Sequence, residues 1–428
     1  MPPFPMRILR YTDAGFRDAL ASLQRKAMPH PEVERTVREV IEAVRTEGDP
    51  ALLRLTERFG GPCLTANQLR VASKPKVDAA TREAVAISHA NVRAFAERSL
   101  RKSWSAKNAQ GATVGERFDP FPRVGIYVPG GTAPLVSTAV MTVTLAAAAG
   151  VPEIVVTTPS DRDGNVNGAL LFALSYCGAT EIYQVGGAQA IAALAYGTET
   201  IRPVLKVFGP GNAYVVEAKR QVFGQVAIDL LPGPSEILVL ADSSANPAWI
   251  AADLLAQAEH GKNSSILFVT NSAKLLQRVE AEIAAQLRTL TRQDALAGVL
   301  ENDCVLILVK TLKDAVGIAN DFAPEHLSIV TRDDEKIAGQ IRTAGAIFLG
   351  GWSPVAAGDF VAGPSHTLPT GGAGKSFPGL TVDMFQRRTS LIRLDARSLK
   401  KSVPTISKFS EIEGLDAHGR SATIRFEM

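Results

Sequence analysis

The sequence predicts an α/β fold with two doubly wound parallel-sheet modules. Three observations carry that expectation. Short β-rich runs alternate with helical segments from Arg123 to about residue 350, the rhythm of strand–helix–strand units. Glycine-rich loops at Pro129-Gly130-Gly131, Gly186-Gly187-Ala188-Gln189 and Gly209-Pro210-Gly211-Asn212 each fall just after a predicted strand. A chain of 428 residues is long enough to bury the cores of two or more domains.

Taken in order, residues 1–60 are helical in pattern: Ala14–Lys26, then Val33–Phe59, broken where Gly48-Asp49-Pro50 interrupts it. Thr81–Leu100, rich in Ala, Glu and Arg, is a further helix. Arg123–Val128 reads as a buried strand. Leu135–Ala149 follows as fifteen uncharged residues, too short for a membrane span of ~20 and bounded by Pro134 and Gly150-Val151-Pro152, so it reads as a buried helix. Strands at Glu153–Thr158, Glu181–Val185 and Val204–Phe208 then alternate with helices at Asn167–Cys177 and Ala188–Tyr196. A second series of strands follows at Ile237–Leu240, Ile266–Thr270, Val305–Val309, Leu327–Val330 and Ala346–Leu349. The two series give two modules, near 127–236 and 237–350, without a clear sequence repeat. After Gly371-Gly372-Ala373-Gly374 the rhythm stops. Arg387–Leu394 reads as a strand and the remainder as short helices with no sheet partner, a tail that must pack on something else.

Composition excludes several classes. The 46 basic and 43 acidic side chains nearly balance, giving a net charge of +3 with no basic block for nucleic acid and no acidic tail. Cys63, Cys177 and Cys304 are isolated, which argues against a disulfide framework and for a reducing cytoplasm, each thiol filling core space. The opening Met-Pro-Pro-Phe-Pro carries no apolar signal core.

Four of the six histidines sit in short polar motifs: Gln257-Ala258-Glu259-His260, Pro324-Glu325-His326, Gly363-Pro364-Ser365-His366 and Glu413-Gly414-Leu415-Asp416-Ala417-His418. Asp359 joins them between Gly358 and Phe360, in a predicted loop. Imidazole, carboxylate and amide oxygen are ligands for a borderline divalent ion such as zinc, and imidazole and carboxylate also move protons near neutral pH. Gln257 and His260 are three apart on the helix Pro247–His260 and share a face. Chemistry alone favours Glu259 over Gln257 as a ligand, and a helix-end histidine equally suits capping. Glu325-His326, at a loop–strand junction, suits two bases or a surface ion pair. Asp359 and His366 suit ligands or ordinary turns. His30 and His89 lack polar companions and read as structural. No G-x-G-x-x-G follows any strand, so spacing alone gives no ordinary dinucleotide fingerprint.

Seven motifs in order, Tyr127-Val-Pro-Gly-Gly-Thr-Ala-Pro134, Val185-Gly-Gly-Ala-Gln-Ala-Ile-Ala192, Phe208-Gly-Pro-Gly-Asn212, Gly233-Pro-Ser-Glu236, Gln257-Ala-Glu-His-Gly261, Pro324-Glu-His-Leu327 and Ala357-Gly-Asp359, resemble those of the histidinol dehydrogenase family. The resemblance runs from about residue 30 to Arg425. It implies the last enzyme of histidine biosynthesis, oxidising histidinol through histidinal to histidine with NAD. It implies one zinc ion per subunit held by Gln257, His260, Asp359 and His418, which overrides the preference for Glu259. Implied substrate contacts are Ser235, Gln257, His260, Glu325, His326, Asp359, His366, Glu413 and His418, with Glu325 and His326 as the catalytic bases. Implied NAD contacts are Tyr127, Gln189 and Asn212. The family's architecture implies two incomplete Rossmann-like domains, 26–126 plus 237–379 and 127–236, the second binding NAD. An N-terminal helical arm, 1–25, precedes them. The C-terminal tail, 380–428, is exchanged between the subunits of a homodimer. Neither nucleic acid nor membrane is an expected partner.

Two rival classes share these residues. A zinc hydrolase would use Glu325 to activate water but would not need three glycine loops at strand ends. A metal-dependent binding protein would have no use for the Glu325-His326 pair.

Overall fold

Two parallel sheets with one strand order organise the chain. In the computed structural model, which describes residues 6–23, 30–72, 75–130, 134–261 and 263–427, the larger sheet has six strands. They run Arg7–Arg10, Cys304–Leu308, Ser265–Thr270, Glu236–Ala241, His326–Val330, Ala346–Leu349. The smaller sheet has five: Glu181–Tyr183, Glu153–Thr157, Arg123–Tyr127, Lys206–Phe208, Ala227–Ile228. Setting aside the N-terminal strand, each is a 3-2-1-4-5 sheet, a Rossmann order without its sixth strand. The α/β fold with two incomplete Rossmann-like modules is therefore as expected.

Strands covered on both faces alternate their side chains between two cores. Val124, Ile126, Ile154 and Val156 face helices Ala79–Ser99, Val136–Ala148 and Gly168–Cys177. Tyr127, Val155 and Val207 face helices Pro31–Glu47, Asp49–Arg58, Gly187–Tyr196 and Ala213–Val222. The larger sheet repeats the pattern between helices Pro247–Ala258, Ala273–Leu287 and Gln293–Asp303 on one face and Leu312–Phe322 on the other. Helix Pro31–Glu47 shows why such helices form where they do. The His30 ring accepts from Glu32 N–H, Pro31 occupies the first turn, and Val37, Val40, Ile41 and Val44 make one buried stripe. No helix of the described residues is long and apolar enough to cross a membrane.

Three features differ from the expectations. Residues 26–126 were expected with the larger sheet. The described helices within them pack on the smaller one, and strand Arg123–Tyr127 is its centre. The N-terminal arm is not only helical: Arg7–Arg10 pairs in parallel with Cys304–Leu308 at the larger sheet's edge, ahead of the helix Phe16–Ala21. The tail strand Gln386–Arg393 does have a partner in its own chain. It pairs antiparallel with Thr113–Pro120, which also pairs with Trp104–Lys107. The end of the predicted helix Ala14–Lys26, Gly131 of the first glycine loop and residues 1–5 of the arm lie outside the described residues.

A seven-residue linker, 229–235, joins the sheets. It leaves the carboxyl end of Ala227–Ile228 and enters the amino end of Glu236–Ala241. Seven residues span at most ~25 Å, so the carboxyl edge of the smaller sheet and the amino edge of the larger one are held near each other.

Candidate active site

At the amino edge of the larger sheet, strands Glu236–Ala241 and His326–Val330 are parallel neighbours, with His326 opposite Ile237. That register brings Ser235, Glu236, Glu325 and His326 together. The Ser235 hydroxyl and the Glu236 N–H both donate to Glu325 Oε2, at 2.7 and 2.8 Å. His326 Nδ1 lies 2.9 Å from the Glu236 carbonyl oxygen. A carbonyl only accepts, so Nδ1 carries the proton and Nε2 keeps its lone pair. Buried Nε2 makes no hydrogen bond among the described residues and stands 3.8 Å from Asp359 Oδ1. Burial lowers the pKa of His326, opposed in part by the Asp359 carboxylate. A neutral imidazole with a fixed tautomer and an unused lone pair is equipped to accept a proton.

Asp359 sits on a short helix, Val355–Phe360, and not in a loop. Gly358 lets that helix approach: a Cβ there would meet the Phe348 ring at 2.6 Å. His366 places Nδ1 3.0 Å from the Asp359 carbonyl and Nε2 3.1 Å from Thr138 Oγ1. Thr138 belongs to helix Val136–Ala148 of the smaller module, so the His366 ring ties the two modules together. Burial lowers its pKa as well. His326, Asp359 and His366 line one cavity of about 410 Å³ walled by Phe348 and Trp352.

Gln257 lies on the last turn of helix Pro247–Ala258, 3% exposed, and its Nε2 is buried without a hydrogen-bond partner. Neighbouring Glu259 is exposed. His260 follows. It is exposed to solvent too, although the protein packed around its ring on one side lowers its pKa, and it is close enough to Asp359 and His326 to feel both. An amide oxygen, an imidazole and a carboxylate are acceptable donors for zinc, so the residues present fit such an ion in kind. No group of three or more His, Cys, Asp or Glu able to hold a metal exists among the described residues. Of the ligands that the resemblance implies, His260 and Asp359 lie close to each other in one chain.

The predicted fourth ligand, His418, is elsewhere. It lies on helix Asp416–Thr423, and Glu413 ends helix Ala396–Glu413; both are exposed and neither lines the cavity. The two helices pack on each other, and they and the residues flanking the second one present Phe409, Ile412, Leu415, Ile424 and Phe426 to solvent.

At the carboxyl edge of the smaller sheet lies a second cavity, of about 390 Å³. The three predicted NAD contacts all line it, together with Ser160 and Gln184. The Tyr127 hydroxyl accepts from Gly187 N–H at 3.3 Å, and burial raises its pKa. Gln189 Oε1 is buried with no partner, a polar group that a ligand could satisfy. Asn212 Oδ1 caps helix Ala213–Val222 by accepting from Tyr214 and Val215 N–H. Gly209 is required here: its φ is +108°, and a Cβ would meet the Tyr127 carbonyl oxygen at 2.1 Å. Thr36, Thr56 and Phe59, from the N-terminal helices, complete the wall. Sequence reasoning missed them because nothing in an amphipathic helix signals which sheet it will cover. It also gave Glu236 no role, although its backbone holds both candidate bases.

The sequence profile of the histidinol dehydrogenase family matches residues 23–426. Histidinol dehydrogenase from Geobacillus kaustophilus is 46% identical over 401 residues, covering 92% of this chain and 94% of that protein. The enzyme from Syntrophotalea carbinolica is 42% identical, covering 99% of both. The crystal structure of histidinol dehydrogenase from Elizabethkingia anophelis superposes with a TM-score of 0.93 at 33% identity, covering 99% of this chain and 98% of that one. An acetylating aldehyde dehydrogenase from Geobacillus thermoglucosidasius shares the fold alone, with a TM-score of 0.51 at 15% identity over 89% of this chain and 94% of that one. The chain belongs to the histidinol dehydrogenase family.

Proposed function

We propose that the protein oxidises L-histidinol to L-histidine through L-histidinal, in two NAD-linked steps, as a zinc-dependent homodimer. The observation that carries the chemistry is the fixed tautomer of His326 beside Glu325. The Glu236 carbonyl holds the proton on Nδ1, so the lone pair on Nε2 is left to act as a base, in a residue that lines the cavity.

Gln257, His260 and Asp359 of one chain and the partner subunit's His418 would hold zinc. Bound there, the ion would anchor the substrate's imidazole and amine, while NAD, against Tyr127, Gln189 and Asn212, would supply the hydride acceptor. His326 Nε2 takes the hydroxyl proton of histidinol as the carbinol hydride leaves. Glu325 then takes a proton from water as its oxygen adds to the aldehyde carbon, giving the hydrated aldehyde as its monoanion. That hydrate loses its own hydride and a proton, leaving the carboxylate of histidine. Ser235 and the Glu236 N–H hold the Glu325 carboxylate in place for this. Ser235, His366 and the partner subunit's Glu413 would fix the substrate's remaining polar groups.

A thiol route finds no support. Cys177 and Cys304 are buried, and burial pushes their pKa values up to about 11 and about 12. Cys63 lines neither cavity.

The test is NADH absorbance on mixing protein, NAD and L-histidinol. Two NADH should form per histidinol. Chelation should abolish turnover, and zinc should restore it, because a site without thiolates gives up its ion readily. Turnover of a hydrolysable substrate without NAD, or full activity after complete metal removal, would overturn the reading.

A further inference from the structure

Lys219 and Asp229 are an ion pair with both side chains 0% exposed, and neither lines the cofactor cavity. Removing two charges from water costs several kcal/mol per ion, and an apolar pair of similar volume often serves stability as well or better. The pair therefore calls for a reason other than stability. Its hydrogen bonds supply one. Lys219 Nζ donates to the Gly209 carbonyl oxygen at 2.8 Å as well as to Asp229. Asp229 accepts from Gly209 N–H at 2.8 Å and from Leu230 N–H at 2.6 Å. Both backbone polar groups of Gly209 are thus held by one buried pair.

Gly209 is the residue whose left-handed backbone turns the chain from strand Lys206–Phe208 toward Asn212. Pro210, lacking an N–H, can add no donor, and Gly211 follows. Lys219 stands on the helix that Asn212 caps, and helical side chains lean toward the amino end, so it reaches back to the loop two turns away. Asp229 begins the linker to the larger sheet, whose other end is Ser235, the donor to Glu325.

We infer that Lys219 and Asp229 are positioning residues that preform the Gly209–Asn212 loop for the dinucleotide, acting through the backbone without touching the ligand. The inference rests on the reading of the Tyr127–Asn212 cavity as the NAD site.

Two measurements test it. The first is amide hydrogen exchange on the wild-type protein without cofactor. The Gly209 and Leu230 amides should already be protected, and saturating NAD should add little. Free exchange of Gly209 without NAD, becoming slow on binding, would overturn the inference. The second is the double variant Lys219→Met/Asp229→Asn, which removes both charges, keeps the volumes and keeps one acceptor oxygen for the two N–H groups that Asp229 Oδ1 and Oδ2 now hold separately. The hold on the Gly209 carbonyl and on one of those N–H groups is lost. NAD affinity, measured by calorimetry, should weaken about tenfold or more, while kcat at saturating NAD and L-histidinol affinity stay within about twofold, since one or two hydrogen bonds of positioning are at stake. Unchanged NAD affinity in a folded double variant would also overturn it, and if that variant does not fold the exchange measurement decides. Failure of the wild type to bind NAD would instead sink the functional reading, and the cofactor-free exchange pattern would still report on the clamp.

Discussion

Strand Arg123–Tyr127 and strand Glu236–Ala241 hold the same place in their sheets, the first strand of a 3-2-1-4-5 order, with function at opposite ends. Tyr127 is the last residue of its strand and lines the cavity of about 390 Å³; Glu236 is the first residue of its strand and holds the candidate bases. The unused ends are closed. At the amino ends of the smaller sheet, Arg123 bridges Glu153 and Glu181, each at 2.6 Å. At the carboxyl ends of the larger one, Asp242 accepts from Arg332 N–H at 3.0 Å and from Ser244 N–H at 2.9 Å, sealing the crevice between its first and fourth strands. The rule that open α/β sheets bind ligands beyond strand carboxyl ends locates the cavity at Tyr127 and misses the Glu325-His326 pair. The linker 229–235 decides where that pair lies, because it joins a carboxyl edge to an amino edge.

The largest effect should come from the open amino edge. His326→Asn removes the lone pair at Nε2, and Glu325→Gln removes the water-activating carboxylate. Each should lower turnover about 10²–10⁴-fold, the usual worth of a general base. They should differ by step: Glu325→Gln should impair oxidation of histidinal more than of histidinol, while His326→Asn impairs the alcohol step at least as much. Equal losses in both half-reactions for both variants would refute this division of labour. A second test asks whether this edge is completed by another chain. His260→Ala and His418→Ala should each be nearly inactive alone. Refolded together, a crossed tail gives heterodimers with one intact site and one doubly damaged one, so about a quarter of wild-type sites return for a closed twofold dimer. No recovery, with subunit exchange verified by mass, excludes the crossed tail.

The two ends were not equally legible in the sequence. Repeated β-rich runs and glycine loops are local signals, so while the trio Tyr127, Gln189 and Asn212 was named only through the family resemblance, the parallel strands and the loops at their ends could be read in advance. Strand Arg7–Arg10 could not, because four residues with charged ends carry little pattern. Strands Trp104–Lys107, which is exposed, and Thr113–Pro120, which is mostly half-buried and polar, escaped for want of an apolar pattern, and the tail strand therefore looked unpaired. Gln257 entered only through the family resemblance; the burial of Gln257 against the exposure of Glu259 is a tertiary fact. The roles of Glu236 and Lys219 act through backbone groups, which leave no mark on residue type.

At the closed amino edge of the smaller sheet, Arg123→Met should cost stability and not chemistry. Glu181, whose carboxyl Arg123 holds down at about 2, would lose its main partner in a largely covered position. Breaking such a pair from one side costs about 3–5 kcal/mol. Denaturant unfolding should show that loss, while kcat and the KM values of the folded variant stay near wild type. A large change in NAD affinity with unchanged stability would mean that this edge is not merely a closure.

The smallest effect belongs to Asp242, at the sealed carboxyl end of the larger sheet. Asp242→Ala removes acceptors for two backbone N–H groups and the Ser244 hydroxyl, and should cost about 1–2 kcal/mol. Burial works to raise the Asp242 pKa, but the Ser244 hydroxyl and the N–H groups of Arg332 and Ser244 outweigh it, so the folded value lies below the ordinary 3.8. A depressed carboxylate stabilises the fold above its unfolded pKa, and that contribution drains away as pH falls through the folded value. The stability gap between wild type and Asp242→Ala should therefore be full near neutral pH and should narrow below about 3.8. Activity per folded molecule at neutral pH should not change. A gap that stays constant through the acid range would show that Asp242 acts by packing alone, and lost activity would mean that this end of the sheet also serves the site.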